Sequence, residues 1–205
     1  QRAADVARII LQIRAQKIPA VDARFAVRGV NTPVQFRPYA TREEWEARAT
    51  HLRRQILMAA GLWPLPERTP LNAQVFDRIA RDGYSIEKVY FESYPGFYCT
   101  GNLYRPVATA TRTGPFPGVW NPHGHWAYGR LENSEMGSVV ARAVNLARQG
   151  YVVFSPDMVG YNDSLQVNHQ FGGPRQQLWG INVLGLQLWN SIRGLDFLES
   201  LPDVD

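Results

Sequence analysis

The sequence feature that most constrains the fold is a predicted helix over residues 176–200 that is apolar on almost every side. A helix without a polar face has to be buried between other elements of the protein. Its apolar positions are Leu178, Trp179, Ile181, Val183, Leu184, Leu186, Leu188, Trp189, Ile192, Leu195 and Phe197. The two tryptophans are expected in the core. Gly180, Gly185 and Gly194 would weaken the helix unless neighbouring elements approach its backbone closely.

Before this helix, the sequence alternates between strand and helix patterns. The predicted elements are strands over residues 84–93 and 97–105, a strand over 117–121, a helix over 136–149 and a strand over 151–154. The first two strands form a predicted antiparallel hairpin around Pro95 and Gly96. The last strand is continuously apolar, which is typical of a strand covered on both faces. Strand–helix–strand units predict a parallel, doubly wound α/β sheet.

By the same rule, the last helix is expected to connect to a further parallel strand. Residues 201–205 do not supply that strand. Residues 75–205 are therefore expected to be the N-terminal half of a larger α/β domain. Residues 1–74 are expected to form a helical extension and a proline-rich linker. Within the extension, one predicted helix covers residues 3–17, and a second begins at a capping box formed by Thr41 and Glu44.

Composition excludes several classes of function. The first 68 residues hold twelve basic and six acidic residues, but the bases are spread at helical spacing without a nucleic-acid-binding motif. No stretch approaches the roughly 20 apolar residues that a membrane helix needs. Cys99 is the single cysteine, which excludes an internal disulfide framework and a thiolate metal cluster. Without a basic neighbour, Cys99 is expected to be a buried structural thiol.

The segment His123-Gly124-His125 follows the third predicted strand and carries the main candidate site residues. Two histidines one residue apart could be ligands of a metal ion. A zinc site needs three or four ligands, however, and neither His51 nor His169 is an apparent third one. We therefore predict no metal. A loop held by hydrogen bonds from its imidazoles to the backbone is the structural alternative.

Taken together, these segments resemble the first half of an α/β-hydrolase, and more narrowly the bacterial acetylxylan-esterase-like branch. The resemblance runs from about Thr41 to Asp205. The segments that carry it are residues 84–89, 101–106, 121–126, 150–154, 157–164 and 186–191. The His-Gly-x loop and the Asp-x-x-Gly-Tyr segment from Asp157 to Tyr161 are specific in combination. The fold implied is the first half of an α/β-hydrolase sheet, a hairpin followed by a βαβα unit.

The resemblance also implies where the chemistry lies. In such proteins the nucleophile stands in a Gly-x-Ser-x-Gly turn after the next strand, and no serine here has that frame. The whole catalytic triad is thus expected beyond Asp205. One oxyanion donor comes from the loop after the third strand, and the matching group is the main-chain N–H of His125.

The predicted substrate-binding residues are His123, Gly124 and Trp126 of the same loop, with Asp157 and Tyr161 of the segment after the fourth predicted strand. Trp126 would stack on a sugar ring, with a packing role as the alternative. Asp157 follows the fourth predicted strand, where α/β sites form, and its alternative role is to shape the loop through Tyr161.

The function implied is that of the N-terminal part of a serine carboxylesterase that deacetylates acetylated xylan or related carbohydrate esters. No cofactor is expected, and the predicted partners are the ester and the missing C-terminal half, with neither nucleic acid nor a membrane. Two alternatives stay open: a prolyl-oligopeptidase-like serine peptidase, and a non-catalytic module of the same fold. A polysaccharide substrate and a first residue other than methionine imply a secreted or periplasmic bacterial protein.

Overall fold

The computed structural model of the chain describes residues 38–205. The chain divides between Trp45 and Glu46, and residues Glu46–Asp205 form one compact unit. The helix predicted over residues 3–17 lies outside the described residues. The predicted domain boundary between residues 74 and 75 stays a prediction.

Helix α1, Arg42–Ala59, begins at the capping box that the sequence predicts. The Thr41 hydroxyl accepts a hydrogen bond from the Glu44 N–H at 3.2 Å, and the Glu44 carboxylate accepts one from the Ala40 N–H at 3.0 Å. The first bond satisfies one of the N–H groups that a helix start leaves without partners, and the second ties the residue before the N-cap to the first turn. Two residues after the helix, Gly61 has a φ of 70°, a conformation that favours glycine at a helix end.

The remaining elements form a sheet with helices around it. They are strands β1 (Gln74–Arg81), β2 (Tyr84–Tyr94), β3 (Phe97–Pro106) and β4 (Gly118–Trp120), a 3-10 turn (Gly129–Leu131), strands β5 (Asn133–Ser134) and β6 (Gly137–Ser138), helix α2 (Val139–Gln149), strand β7 (Val152–Pro156), and helices α3 (Pro174–Leu178) and α4 (Val183–Glu199). Within residues 38–205, one sheet has five strands in the order β1-β2-β3-β7-β4, and β5 pairs with β6 separately.

The five-stranded sheet is mixed, with antiparallel pairing in the predicted hairpin and parallel pairing in the predicted strand–helix–strand unit. The predicted hairpin is confirmed as β2 and β3, and β1 and β7 also pair antiparallel with their neighbours. Parallel pairing joins β4 to β7, the two strands that α2 connects. The sequence analysis missed β1 as a strand; every residue of this edge strand is exposed, so it lacks the apolar alternation of a half-buried strand.

Strand β7 is the centre of the core, and all five of its residues are buried. Successive side chains of a strand point to opposite faces of the sheet. Val153 accordingly packs with Ala143 and Ala147 of α2, while Val152 and Phe154 pack with Phe197 and other residues of the α4 side. Its continuously apolar sequence is therefore explained by burial on both faces, as predicted.

The predicted helix over residues 176–200 is divided into α3 and α4, and this corrects the sequence reading. Gly180 has a φ of 68°, which ends the helical path. The Asn182 side chain then caps α4 by accepting a hydrogen bond from the Gly185 N–H at 2.8 Å. A residue that bonds to the backbone in this way competes with a continuous helix and favours a new helix start.

Burial of this region is also only partial. Trp189 is fully buried, as predicted, but Trp179 is 83% exposed among the described residues, and Leu178 is 88% exposed. The apolar side chains that precede α4 therefore do not belong to the core of the described part. Within α4, the glycine prediction is confirmed: a Cβ on Gly194 would overlap the Trp120 ring, and one on Gly185 would overlap the Ala60 carbonyl.

The residues after α4 run along the outer edge of β4. Val204 forms a parallel bridge with Phe116. The Phe116 N–H donates to the Asp203 carbonyl at 2.8 Å, and the Asp205 N–H donates to the Phe116 carbonyl at 2.9 Å. This isolated bridge lies on the side of β4 where the sequence analysis predicts a further parallel strand.

Two further observations concern the expectations from composition. Cys99 is a free and fully buried cysteine, and burial raises the pKa of its thiol, as does the charge of Asp157, so the structural reading of this residue is confirmed. In the part of the chain that the structure describes, no helix has both the length and the hydropathy to cross a bilayer.

The contact between Gly194 and Trp120 generates a stability prediction. Gly194→Ala should lower the free energy of unfolding by about 1–3 kcal/mol, because the added methyl group forces apart a packed helix and strand. Helix propensity alone would favour alanine by roughly 1 kcal/mol. Urea unfolding followed by tryptophan fluorescence measures the change. The control is Gly137→Ala, where an added Cβ meets nothing within 4 Å; a stabilised Gly194→Ala variant would contradict the prediction.

Candidate functional site

The candidate site begins where β4 ends and the chain enters the loop that holds both histidines. Asn121 is buried and attaches the start of this loop to β7. Its main-chain N–H donates to the Phe154 carbonyl at 2.8 Å, and its Nδ2 donates to the Ser155 hydroxyl at 2.7 Å. The loop therefore leaves the sheet in a direction fixed by the central strand.

His123 is buried, and its ring connects this loop to the loop that follows β7. Its Nε2 accepts a hydrogen bond from the Met158 N–H at 3.1 Å, and its Nδ1 lies 2.7 Å from the Gly124 carbonyl oxygen. Nδ1 therefore carries the proton, because Nε2 acts as an acceptor. Burial lowers the pKa of His123, although the Gly124 hydrogen bond and the Asp157 charge act in the opposite direction.

The structure brings His125 together with His169, a pairing that the sequence did not predict. Their Nε2 atoms lie 2.8 Å apart, and Nδ1 of His169 lies 2.8 Å from the Val159 carbonyl oxygen. The carbonyl requires a proton on Nδ1 of His169, so His125 donates through its Nε2–H to the other nitrogen. Tyr161 packs edge-on against both of these rings.

His169 reaches this position because the chain folds back closely at Gly160. A Cβ on Gly160 would overlap the main chain of His169, and the φ of Gly160 is 83°. A loop contact of this kind leaves no periodic pattern in the sequence, so sequence reasoning had no signal for it. Among residues 38–205, no three His, Cys, Asp or Glu side chains are grouped so as to hold a metal ion.

Asp157 lies directly after β7, and its side chain has no exposed surface. It forms an ion pair with Arg130 of the 3-10 turn and accepts hydrogen bonds from Thr100 Oγ1 at 2.7 Å and Asn162 Nδ2 at 2.9 Å. The Asp163 N–H also donates to it, at 3.3 Å. Both oxygens of the carboxylate are already bonded. This environment favours the alternative role given above for Asp157, which is to shape the loop through Tyr161.

One observation bears on the main-chain N–H of His125, the predicted oxyanion donor. None of the hydrogen bonds among residues 38–205 uses the main-chain N–H of His125 as a donor. The next N–H, that of Trp126, is turned back and donates to the Gly124 carbonyl at 2.9 Å. A donor that is free in the resting protein can bind the charge that develops on a substrate oxygen.

The predicted substrate-binding residues differ in their exposure to solvent. Trp126 is 42% exposed, and its ring lies over Gly124, where an added Cβ would contact it at 3.6 Å. Tyr161 packs against His123 with ring centroids 5.1 Å apart. Trp126 is thus open to a ligand, whereas Tyr161 belongs to the cluster of rings that supports the loop. His123 and Asp157 are buried beneath it.

Comparison with known proteins identifies the fold. No protein-family model matches the chain, and no curated protein matches it in sequence. Solved structures do match: the methylesterase BT1017 is 26% identical with a TM-score of 0.61, over 82% of this chain and 35% of that protein. A candidate acetyl xylan esterase from Bacteroides fragilis is 15% identical with a TM-score of 0.64, over 80% of this chain and 45% of that protein.

A third structure, the acetyl xylan esterase from Paenibacillus sp. R4, is 19% identical with a TM-score of 0.50, over 75% of this chain and 48% of that protein. The chain spans between about a third and a half of the length of these three proteins. Its fold is a partial α/β-hydrolase fold similar to that of acetyl xylan esterases, and the predicted fold class is confirmed.

The buried, neutral His123 predicts a pH-dependent stability. Because folding depresses its pKa, the ring contributes its full stability above the unfolded-state pKa of about 6.5 and loses it as the pH falls through the folded-state value. We expect the free energy of unfolding to fall between pH 7 and pH 5. Urea titrations at several pH values measure this dependence.

The control for this prediction is His123→Gln, because a glutamine oxygen can still accept from the Met158 N–H but does not titrate. Its stability should vary less with pH than that of the wild type over the same interval. Equal slopes for the two proteins would show that other groups cause the pH dependence.

Proposed function

We propose that this chain is part of a serine esterase that hydrolyses esters of carbohydrates. The observation that carries the proposal is the main-chain N–H of His125, which donates no hydrogen bond among residues 38–205 and belongs to a loop that His123 bonds to the segment after the central strand. Two kinds of support accompany it: the resemblance of residues 121–126 and 157–164 to acetylxylan-esterase-like sequences, and the structural similarity to a methylesterase and to acetyl xylan esterases.

In the proposed mechanism, a serine on the part of the protein that follows Asp205 attacks the ester carbonyl carbon, and a histidine accepts its proton. The His125 N–H and the N–H of the residue after the serine would hold the developing oxyanion. The alcohol leaves with a proton from the histidine, and water then releases the acid from the acyl-enzyme. The triad itself is proposed to lie in the C-terminal half of the domain.

Other residues of the loop are assigned to binding and support. The exposed indole of Trp126 would stack on the apolar face of a sugar ring. His123, Gly124, Asp157 and Tyr161 would hold the loop in place around the ester. The described residues before β1 contain one helix and no strand, which does not favour the repeated strands of a peptidase propeller.

The proposed substrate is an acetylated polysaccharide such as acetylated xylan. A carbohydrate methyl ester is the second candidate, because the similarity to the methylesterase has the highest sequence identity of the three structures described above. A polymeric substrate outside the cell also implies export, so the protein is proposed to be secreted or periplasmic. That it binds neither nucleic acid nor a membrane stays a prediction.

A comparison of substrates tests the reaction class. The full-length protein should hydrolyse p-nitrophenyl acetate and release acetate from acetylated xylan, because a small acyl group needs little space beside the oxyanion donors. Acetate and methanol release are measured in parallel on acetylated xylan and methyl-esterified pectin. Methanol release without acetate release would show that the substrate is a methyl ester and not an acetyl ester. Cleavage of a prolyl-peptide chromogen alone would overturn the proposal.

The oxyanion role of His125 is tested by changing its N–H and its side chain separately. His125→Pro removes the N–H and should lower kcat by roughly 10²–10³-fold. His125→Ala keeps the N–H and should stay within a few-fold of the wild type on p-nitrophenyl acetate. Circular dichroism checks that both variants are folded. An alanine variant as inactive as the proline variant would assign the chemistry to the imidazole instead.

A further inference from the structure

One ring nitrogen of the pair formed by His125 and His169 has no partner in the described part of the chain. The Nε2 atoms of the two rings lie 2.8 Å apart, and Nδ1 of His169 lies 2.8 Å from the Val159 carbonyl oxygen. Among residues 38–205, no hydrogen bond involves Nδ1 of His125. His125 is also exposed, unlike the buried His123. This nitrogen is therefore a polar group that the loop does not use for its own support.

The proton positions on both rings follow from the Val159 carbonyl. A carbonyl oxygen can only accept a hydrogen bond, so the neutral His169 ring carries its proton on Nδ1 and none on Nε2. That Nε2 accepts from His125, which therefore carries its proton on its own Nε2. The Nδ1 of the neutral His125 ring is left with a lone pair and no proton. The contact between the two histidines thus makes Nδ1 of His125 a hydrogen-bond acceptor.

The location of this acceptor is limited by covalent geometry. In any histidine, Nδ1 lies within about 5 Å of the main-chain nitrogen, because only a short chain of bonds separates the two atoms. The two nitrogens of an imidazole point in diverging directions, so Nδ1 of His125 is directed away from His169. Tyr161 packs edge-on against the His125 ring, with ring centroids 6.4 Å apart. A group bound at the His125 N–H therefore has its nearest substituents within reach of Nδ1.

We infer that Nδ1 of His125 accepts a hydrogen bond from a free hydroxyl group next to the ester, and that His169 holds the ring in the orientation that allows this. The inference rests on the proposed function, in which the His125 N–H binds the oxyanion of a carbohydrate ester. It narrows the substrate class to sugar acetates with a free hydroxyl on the carbon beside the esterified carbon. The ring of His125 is then a specificity-determining group, and His169 is a positioning residue.

The exposure of His125 sets the size of the expected preference. A buried acceptor discriminates strongly against a substrate without the hydroxyl, because the acceptor is then left unpaired. An exposed acceptor bonds to water instead, so the difference is that between two hydrogen bonds of similar strength. Such an exchange corresponds to a preference of about 2- to 10-fold in kcat/KM.

The alternative is a purely structural role for the pair. His169 would then hold the loop, and Nδ1 of His125 would bond to water in the presence and absence of substrate. A change at either histidine would in that case affect all acetate esters equally. In the inferred role, the effect depends on the hydroxyl of the substrate. The ratio of kcat/KM for two esters that differ in this hydroxyl therefore distinguishes the two roles.

The test compares trans-2-hydroxycyclohexyl acetate with cyclohexyl acetate as substrates of the full-length protein. The two esters differ in one hydroxyl, and migration of the acetyl group in the first regenerates the same compound. Each kcat/KM is divided by the rate constant of alkaline hydrolysis, which removes the intrinsic effect of the hydroxyl. The wild type should favour the hydroxy ester by about 2- to 10-fold. In His125→Ala this preference should disappear, because a methyl group accepts no hydrogen bond.

Two substitutions of His169 test its positioning role. His169→Phe keeps an aromatic ring beside Tyr161 but removes the acceptor that orients His125, so the preference for the hydroxy ester should fall. His169→Gln offers an oxygen to the Nε2–H of His125 and an amide N–H to the Val159 carbonyl, so it should retain the preference. The ratio is taken within each variant, so a general loss of activity cancels. An unchanged ratio in His169→Phe would contradict the positioning role.

The matched control is Tyr128→Phe, which removes a hydroxyl from a side chain of the same loop that is 69% exposed. Its preference should equal that of the wild type, because Tyr128 has no bond to His125 or His169 among the described residues. Circular dichroism checks that every variant is folded. A preference lost in Tyr128→Phe and kept in His125→Ala would overturn the inference and assign the hydroxyl contact to Tyr128.

The outcomes separate the inference from the proposed function. Equal corrected ratios in the wild type and His125→Ala, with both esters hydrolysed, would overturn the inference and leave the esterase function in place. A full-length protein that hydrolyses neither these esters nor p-nitrophenyl acetate would refute the proposed function, and the inference with it.

Discussion

The buried carboxylate of Asp157 is the interaction on which the loops of the candidate site depend. It joins Thr100 of β3, Arg130 of the 3-10 turn, and Asn162 and Asp163 of its own loop. Removing one partner from a buried ion pair costs about 3–5 kcal/mol, because the remaining charge is left without compensation. These three segments therefore have to keep their relative positions for the chain to fold, which makes the two loops rigid.

The histidine loop is also held by polar groups that bond to several segments, but these groups are neutral rings and not charges. His123 bonds to the loop after β7 through one nitrogen and to Gly124 through the other, and His169 likewise bonds on both sides. Each imidazole has a defined proton position because its partner groups differ. The main-chain N–H of His125, like those of His123 and Gly124, donates no hydrogen bond among residues 38–205. The proposed oxyanion role uses this group, whereas the imidazole of His125 is bonded to His169.

Helix α4 shows the contrast between polar groups that are satisfied and polar groups that are not. The indole of Trp189 bonds to Ser93, and Asn182 caps the helix start, so these groups explain the position of the helix. Asn190 and Gln187 have unpartnered buried atoms among the described residues.

Local patterns in the sequence predicted the elements whose cause is local. The capping box at Thr41, the hairpin turn at Gly96 and the doubly covered strand β7 each follow from neighbouring residues, and the structure confirms them. The edge strand β1 was missed because its residues are exposed, and the long apolar helix was predicted as one piece because hydrophobicity does not show where a capping Asn182 restarts it.

The same distinction between local and long-range causes applies to the candidate site. The sequence by itself determined that a His-Gly-His loop follows a sheet strand and that an aspartate follows the next, because strand ends and loop residues can be read along the chain. Only the tertiary structure decided that Asp157 is buried in an ion pair with Arg130 and that His125 meets His169. The physical reason is distance along the chain: contacts between residues tens of positions apart depend on how loops pack, and packing leaves no periodic signal in the sequence.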